Sequence, residues 1–148
     1  MSSQTPAAEE DENSFDVELD VIHPTLHPDD ISRALELDAH FAKAVGEPRT
    51  MPSGKPLSGT YNNTHWRHRV PHAGPDQECA ELLGDFVERL KSRRDAFASL
   101  RETGGQTRLI VQFLGDGFMG EDIPHKTLAA IVELGLDLGI ECFTELQG

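Results

Sequence analysis

The residue types best suited to bind an anionic ligand are concentrated between residues 40 and 72. This span has five basic side chains and one acidic residue, Glu47, whereas acidic residues dominate the rest of the chain. It also holds four of the seven histidines, beside Tyr61 and the single tryptophan, Trp66. Such groups bind carboxylates, phosphates or the acidic edge of a partner protein. The basic residues are Lys43, Arg49, Lys55, Arg67 and Arg69, and the histidines are His40, His65, His68 and His72.

Strand periodicity selects the candidate binding residues within this span. A strand over about residues 60–69 places alternate side chains on opposite faces, with Trp66 on the face expected in the core. The same basic residues are equally explained if they neutralise the acidic surface of the protein itself. The candidate binding residues are Lys43 and Arg49 in the preceding loop and Tyr61, Asn63, His65 and Arg67 on the other face of the strand.

The histidines lack the spacing of a known metal site. His65 and His68 are an odd number of residues apart, so on a strand they point to opposite faces. The chain has no HExxH motif and no paired CxxC motif. We therefore predict no metal and no cofactor. A remaining alternative requires two distant loops to be neighbours and combines His23, His27 and His125 with Asp29 or Glu121.

No set of catalytic residues is evident. The two cysteines, Cys79 and Cys142, fall at apolar positions of their segments and are expected to be buried. Gly115, Gly117 and Gly120 fit the spacing of a dinucleotide-binding turn, but the acidic residues that follow would repel pyrophosphate and no complete Rossmann alternation surrounds them. The sequence therefore assigns no catalytic residue.

Composition limits the classes of partner. The chain has 148 residues, about one domain, and a formal net charge of −13. This charge repels nucleic acid and anionic membranes, and it favours a protein partner with a basic surface. The absence of a signal-peptide pattern and of a long apolar run predicts a cytoplasmic protein.

The pattern along the chain predicts one α+β domain at 15–148. Residues 1–14 are small and acidic, which predicts a disordered tail. Alternating apolar and acidic residues at about 15–22 predict a strand, and a helix follows from Pro28. A loop rich in proline and glycine is expected at about 38–59.

The second half of the chain repeats the order of strand and helix. A long helix is expected from Pro75 to Gly104, with an interruption near Ser92, and strands are expected at 109–113 and 138–143 around a helix from Pro124. The apolar positions around the first and last helices correspond without a gap. A duplicated strand–helix–strand unit would give a ferredoxin-like sheet of about four strands with helices mainly on one face.

Several short motifs also resemble the bacterial domain-of-unknown-function family 4279. They are the His-Pro and Leu-Glu-Leu elements of 23–37, Gly46-Glu47-Pro48-Arg49, the strand tryptophan Trp66, a long leucine-rich helix, and Leu-Gly-Leu-Asp-Leu-Gly-Ile-Glu at 134–141. The likeness spans about residues 15–145. It implies an α+β fold and a bacterial cytoplasmic setting, and it implies no activity and no catalytic residues.

Two functional hypotheses follow. The first is a non-catalytic interaction protein, of an immunity or regulatory type, which is favoured by the acidic surface and the lack of a catalytic set. The second is binding of, or catalysis on, an anionic small molecule by the basic, histidine-rich segment 40–72. The second hypothesis requires Arg49, His65 and Arg67 to converge in one cleft.

Overall fold

The structure is a computed structural model, and it describes residues 14–71, 76–115 and 120–143. A mixed sheet of five strands is combined with four helices, and a separate hairpin forms a two-stranded sheet. The strands are β1 (Ser14–His23), β2 (Phe41–Lys43), β3 (Pro48–Thr50), β4 (Pro56–Thr60), β5 (Thr64–Val70), β6 (Gln106–Leu114) and β7 (Asp137–Phe143). The helices are α1 (Pro28–Leu35), α2 (Cys79–Leu90), α3 (Arg94–Glu102) and α4 (His125–Leu134), with a 3₁₀ turn at Lys91–Arg93.

β1 lies at the centre of the five-stranded sheet. The strand order is β2-β5-β1-β6-β7. β1 pairs antiparallel with β5 on one side and with β6 on the other, whereas β6 pairs parallel with β7. In the first strand–helix–strand segment, the closing strand β5 pairs antiparallel with β1. In the second, the closing strand β7 pairs parallel with β6. The α+β class is confirmed, but the ferredoxin-like arrangement and the duplicated unit are not.

One face of this sheet forms the core. Val17, Leu19 and Val21 of β1 are buried in a cluster with alternate residues of β5 and β6 and with the apolar sides of all four helices. Trp66 is fully buried, as its place in the strand pattern predicts, and its Nε1 donates to Ser32 Oγ of α1 at 2.9 Å. The helices thus pack on one face of the sheet.

The helix ends follow the capping chemistry of the sequence. His27 Nδ1 accepts a hydrogen bond from the Asp29 amide at the start of α1, and Pro28 occupies the first turn. α4 ends at Gly135, whose φ of +74° favours glycine. Arg101 of α3 donates to the Leu134 carbonyl at 2.7 Å, so a neighbouring helix caps the last turn of α4.

The segment 38–59 is more regular than its composition predicts. It contains β2, which pairs with β5 at the edge of the main sheet, and the β3–β4 hairpin. β5 begins at Thr64 rather than near residue 60. The expected interruption of the long helix near Ser92 is confirmed by the 3₁₀ turn. The acidic tail predicted at 1–14 lies outside the described residues except for Ser14, the first residue of β1.

No helix in the described part of the chain combines the length and the apolar character needed to cross a bilayer. The partition into an acidic tail and one domain stays a prediction.

His23 joins the end of β1 to the end of α3 in the interior. Its Nδ1 accepts hydrogen bonds from the amides of Thr25 and Leu26, both at 3.1 Å. Its Nε2 lies 2.7 Å from Thr103 Oγ1, which itself donates to the Ser99 carbonyl. The ring is therefore the neutral tautomer with hydrogen on Nε2. Burial lowers the pKa of His23, because the charged form loses solvation.

We expect this ring to make folding stability depend on pH. Because the pKa of His23 is lower in the folded chain than the ordinary value of 6.5, the unfolded chain binds more protons just below that pH. The contribution of His23 to the free energy of unfolding is complete above about pH 6.5, and it is lost as the pH falls towards the pKa of His23 in the folded chain. Urea denaturation between about pH 7.5 and 5.5 measures this slope.

His23→Asn keeps an oxygen acceptor near the Nδ1 position and removes the titrating ring, so it should reduce the slope. His68, whose pKa burial also lowers, supplies part of what remains. His125→Asn, at an exposed position of α4, is the control. If His23→Asn leaves the slope of folding stability against pH unchanged, the assignment of that slope to His23 is wrong.

Candidate functional site: the open face of the sheet

The sheet face opposite the helices, here called the open face, carries charged and aromatic side chains. No helix of the described residues packs on it, because the apolar sides of all four helices lie in the core cluster on the other face. Strand register places its side chains in rows across β2, β5, β1 and β6. They include Phe41 and Lys43 of β2, His65, Arg67 and Arg69 of β5, Glu18 and Asp20 of β1, and Arg108 of β6.

Two carboxylates lie buried in the middle of the open face. Glu18 and Asp20 are each only 2% exposed, although no second layer of described elements covers them. Asp20 accepts hydrogen bonds from Arg67 Nε at 3.4 Å and from Arg108 Nε at 2.9 Å. The long arginine side chains on both neighbouring strands thus shield and neutralise a charge that is costly to bury alone.

Glu18 is less well satisfied than Asp20. Arg67 Nε lies 3.2 Å from Glu18 Oε2, and Arg69 Nη2 lies 3.8 Å from Glu18 Oε1. Within the described residues, Glu18 Oε2 nevertheless has no hydrogen bond of good geometry. The Nε–H group of Arg67 therefore lies near two buried carboxylates, and it makes its hydrogen bond to Asp20.

The aromatic part of the site lies beside these charges at the β2 edge. Phe41 is 43% exposed, and the Arg67 guanidinium lies 5.6 Å from its ring centroid. Lys43 Nζ lies 5.8 Å from the same centroid and 5.2 Å from the centroid of Tyr61. Both cations are within the range of cation–π attraction, so the site joins exposed aromatic surface to fixed positive charge.

Tyr61 is held by polar contacts with residues of β2 and β3. The Thr50 amide donates to Tyr61 Oη at 3.1 Å, and Lys43 Nζ donates to Thr50 Oγ1 at 3.2 Å. Hydrogen bonding to Lys43, and then to Thr50, lowers the pKa of Tyr61 to about 8. These donors stabilise the phenolate, and the nearby ammonium charge adds to the effect.

The structure brings together some of the predicted site residues and separates others. Lys43, His65 and Arg67 lie on the open face, where Lys43 is the register partner of His65. Arg49 lies on the β3–β4 hairpin, and its side chain donates to the Ser58 carbonyl at 3.3 Å. Tyr61 and Asn63 precede β5, so they are not strand residues. Tyr61 nevertheless reaches the site through Lys43.

Five of the residues named above on the open face were missed as site residues: Phe41, Arg69, Arg108, Glu18 and Asp20. Phe41 lies in the segment expected to be a loop, and Arg108 lies on a strand outside the basic segment. Glu18 and Asp20 alternate with core residues, which is typical of solvent-exposed strand positions. The sequence does not distinguish this pair from Asp16, the third carboxylate on the same face of β1, which is only half-buried. The arginine partners of the pair depend on strand register, which the sequence does not give.

The alternative metal site, which combines histidines of two distant loops, loses support. His23 uses both ring nitrogens in the interior, and His27 caps α1. Among the described residues, no group of three or more histidine, cysteine, aspartate or glutamate side chains is placed to hold a metal ion. His72 and Gly117 lie outside the described residues.

The thiols occupy different environments. Cys79 is buried, which raises the pKa of its thiol to about 11 and keeps it protonated near neutral pH. Cys142 is exposed on β7, so its expected burial is wrong. β7 is the last strand in the sheet order, so this thiol lies at the edge of the sheet.

Comparison with known proteins yields no relative. No protein-family model matches the chain, and no curated protein and no solved structure matches it either. The resemblance to the domain-of-unknown-function family therefore stays a prediction.

The titration of Tyr61 can be measured directly, because it is the single tyrosine of the chain. We expect phenolate absorbance near 295 nm to appear with a midpoint of about pH 8. Lys43→Met should raise this midpoint towards the ordinary value of 10, whereas Lys55→Met on the exposed hairpin should leave it unchanged. A wild-type midpoint near 10 would show that Lys43 does not contact the phenol.

The two buried carboxylates should differ in their contribution to stability. Asp20→Asn removes the charge that accepts two arginine hydrogen bonds, and we expect a loss of about 1.5–3 kcal/mol in the free energy of unfolding. Glu18→Gln removes a buried charge with poorer hydrogen bonding and should cost less than Asp20→Asn. Urea denaturation of both variants provides the comparison, with each acting as the control for the other. Equal losses would disprove the proposed difference.

Proposed function

We propose that this protein is a non-catalytic interaction protein, of an immunity or regulatory type, whose protein partner docks on the open face. The observation that carries the proposal is an exposed face, uncovered by described helices, on which Phe41 and three arginines are held in place. Aromatic residues and arginine are the side chains that most often dominate binding energy at protein interfaces.

Preorganisation supports this proposal. Glu18 and Asp20 are buried and fix the inner ends of the arginines, so little side-chain freedom remains to be lost on binding. The stack of Arg67 on Phe41 presents one amphipathic surface to a partner. Fixed side chains of this kind favour recognition of a specific surface over non-specific adhesion.

The net charge of −13 supports a partner whose surface is basic overall. Attraction between oppositely charged proteins speeds their encounter without forming part of the contact. The open face itself carries both signs of charge, so the contact requires local complementarity. A bacterial cytoplasmic setting, as implied by the family resemblance, belongs to the same proposal.

Binding of an anionic small molecule by segment 40–72 is the second candidate function. The position of Lys43 on the open face beside Tyr61 favours it, because an ammonium group can pair with an anionic ligand. The position of Arg49 counts against a cleft in which Arg49, His65 and Arg67 converge, since the Arg49 side chain binds the hairpin backbone. The protein-binding proposal requires no such convergence and uses the whole face.

The test is affinity purification from the native host at moderate salt with matched variants. Phe41→Ala removes the exposed aromatic side chain that packs against Arg67 on the open face, and it should abolish recovery of a stoichiometric partner. Val132→Ala also removes an exposed apolar side chain, which is 75% exposed on α4, and should retain the partner. Recovery of the same partner by Phe41→Ala, or repeated failure of the wild type to recover any partner, overturns the proposal.

A further inference from the structure

Arg67 and Arg108 approach the same carboxylate from opposite strands. Asp20 is the register partner of Arg67 on β5 and of Arg108 on β6. Arg67 Nε donates to Asp20 Oδ1, and Arg108 Nε donates to Asp20 Oδ2. Both guanidinium groups therefore converge on one buried anchor at the middle of the open face.

The outer ends of these two guanidinium groups reach the solvent. Neither Arg67 nor Arg108 makes a hydrogen bond from its Nη atoms to any residue that the structure describes. Their side chains are 39% and 45% exposed. Each arginine thus has its Nε edge fixed inside the sheet surface and its Nη donors in reach of solvent.

The arrangement of charges also places donors towards the solvent. Arg67, Arg69 and Arg108 surround two buried carboxylates, Glu18 and Asp20, and the exposed Asp137 is the register partner of Arg108 on β7. Glu18 and Asp20 are buried behind the arginines, so a ligand on the solvent side meets N–H donors first.

We propose that Arg67 and Arg108 form an oxyanion-binding site for a phosphate monoester group, with Arg69 adding charge at its side. A phosphate offers three acceptor oxygens and can receive N–H groups from both arginines at once, whereas a point charge would not use the planar forks. The anchoring by Asp20 reduces the rotamer freedom lost on binding. The site goes beyond the protein-binding proposal, because the phosphate group can belong to a small molecule or to a modified protein side chain.

The direct test uses inorganic phosphate and the full-length ¹⁵N-labelled chain. The Nε–Hε signals of Arg67 and Arg108 are followed by NMR during a phosphate titration, with chloride at matched ionic strength as the reference. We expect saturable shifts of these two signals with phosphate and no comparable shifts with chloride. Identical responses to phosphate and chloride would show general screening and would overturn the site.

Arg108→Lys tests the geometry while keeping the charge beside Asp20. Lysine supplies a point charge without a planar fork, so we expect the affinity for phosphate to fall by about tenfold. Arg94→Lys makes the same exchange at an exposed arginine of α3 that pairs with Glu133, and it should leave the affinity unchanged. Thermal unfolding of both variants checks that the fold is retained. An unchanged affinity in Arg108→Lys overturns the proposal, whereas Arg67→Lys provides a second variant if Arg108→Lys fails to fold.

The source of the phosphate group is distinguished by two probes. Methyl phosphate represents a small molecule, and a short peptide with one phosphoserine, compared with its serine form, represents a modified protein. Tighter binding of the phosphopeptide assigns the site to a protein partner, and equal binding assigns it to a free phosphate monoester. If phosphate fails to bind but Phe41→Ala still abolishes partner recovery, the site is wrong and the protein-binding proposal stands.

Discussion

The constraint on which the rest of the structure depends is the central position of β1. Because this strand is paired on both sides, side chains of two neighbouring strands flank each of its residues on both faces of the sheet. Val17, Leu19 and Val21 meet the helices, but the acidic residues between them must be neutralised from within the sheet. The neighbouring strands supply arginines for this purpose, and the same arginines define the open face. Under the proposed function, stability and partner binding share these side chains, so a change at Asp20 is expected to alter both.

Sequence patterns predicted the parts of this arrangement that depend on local periodicity. The alternation at 15–22, the proline-led start of α1 and the burial of Trp66 are all found in the structure. The short strands within 38–59 could not be predicted, because three residues are too few to show a period and their proline and glycine content is typical of loops. The burial of Glu18 and Asp20 could not be predicted either, since it depends on arginines of other strands. Arg108, for example, is 88 residues from Asp20 along the chain.

The region of the candidate site follows from composition, whereas the contacts within that region do not. An excess of basic residues in an acidic chain marked the β2–β5 edge, and Lys43, His65 and Arg67 do lie on the open face. The prediction of Arg49 as a binding residue rests on its charge alone, and charge does not determine which backbone carbonyl a side chain contacts. Tyr61 was assigned to the strand face, but it acts from the turn before β5 through its contacts with Lys43 and Thr50. Composition thus identified the region, and register determined which groups meet.

β7 has a consequence for how these molecules behave in concentrated solution. It is the last strand in the sheet order, so its outer row of backbone N–H and C=O groups has no strand partner among the described residues. Ile140 on this strand is 65% exposed, and an apolar edge of this kind can pair with the edge of another molecule. Mutual repulsion between chains of net charge −13 opposes such pairing. Added salt therefore acts in opposite directions on two parts of one sheet: it weakens an ionic contact on the open face and removes the repulsion that keeps β7 edges of separate molecules apart.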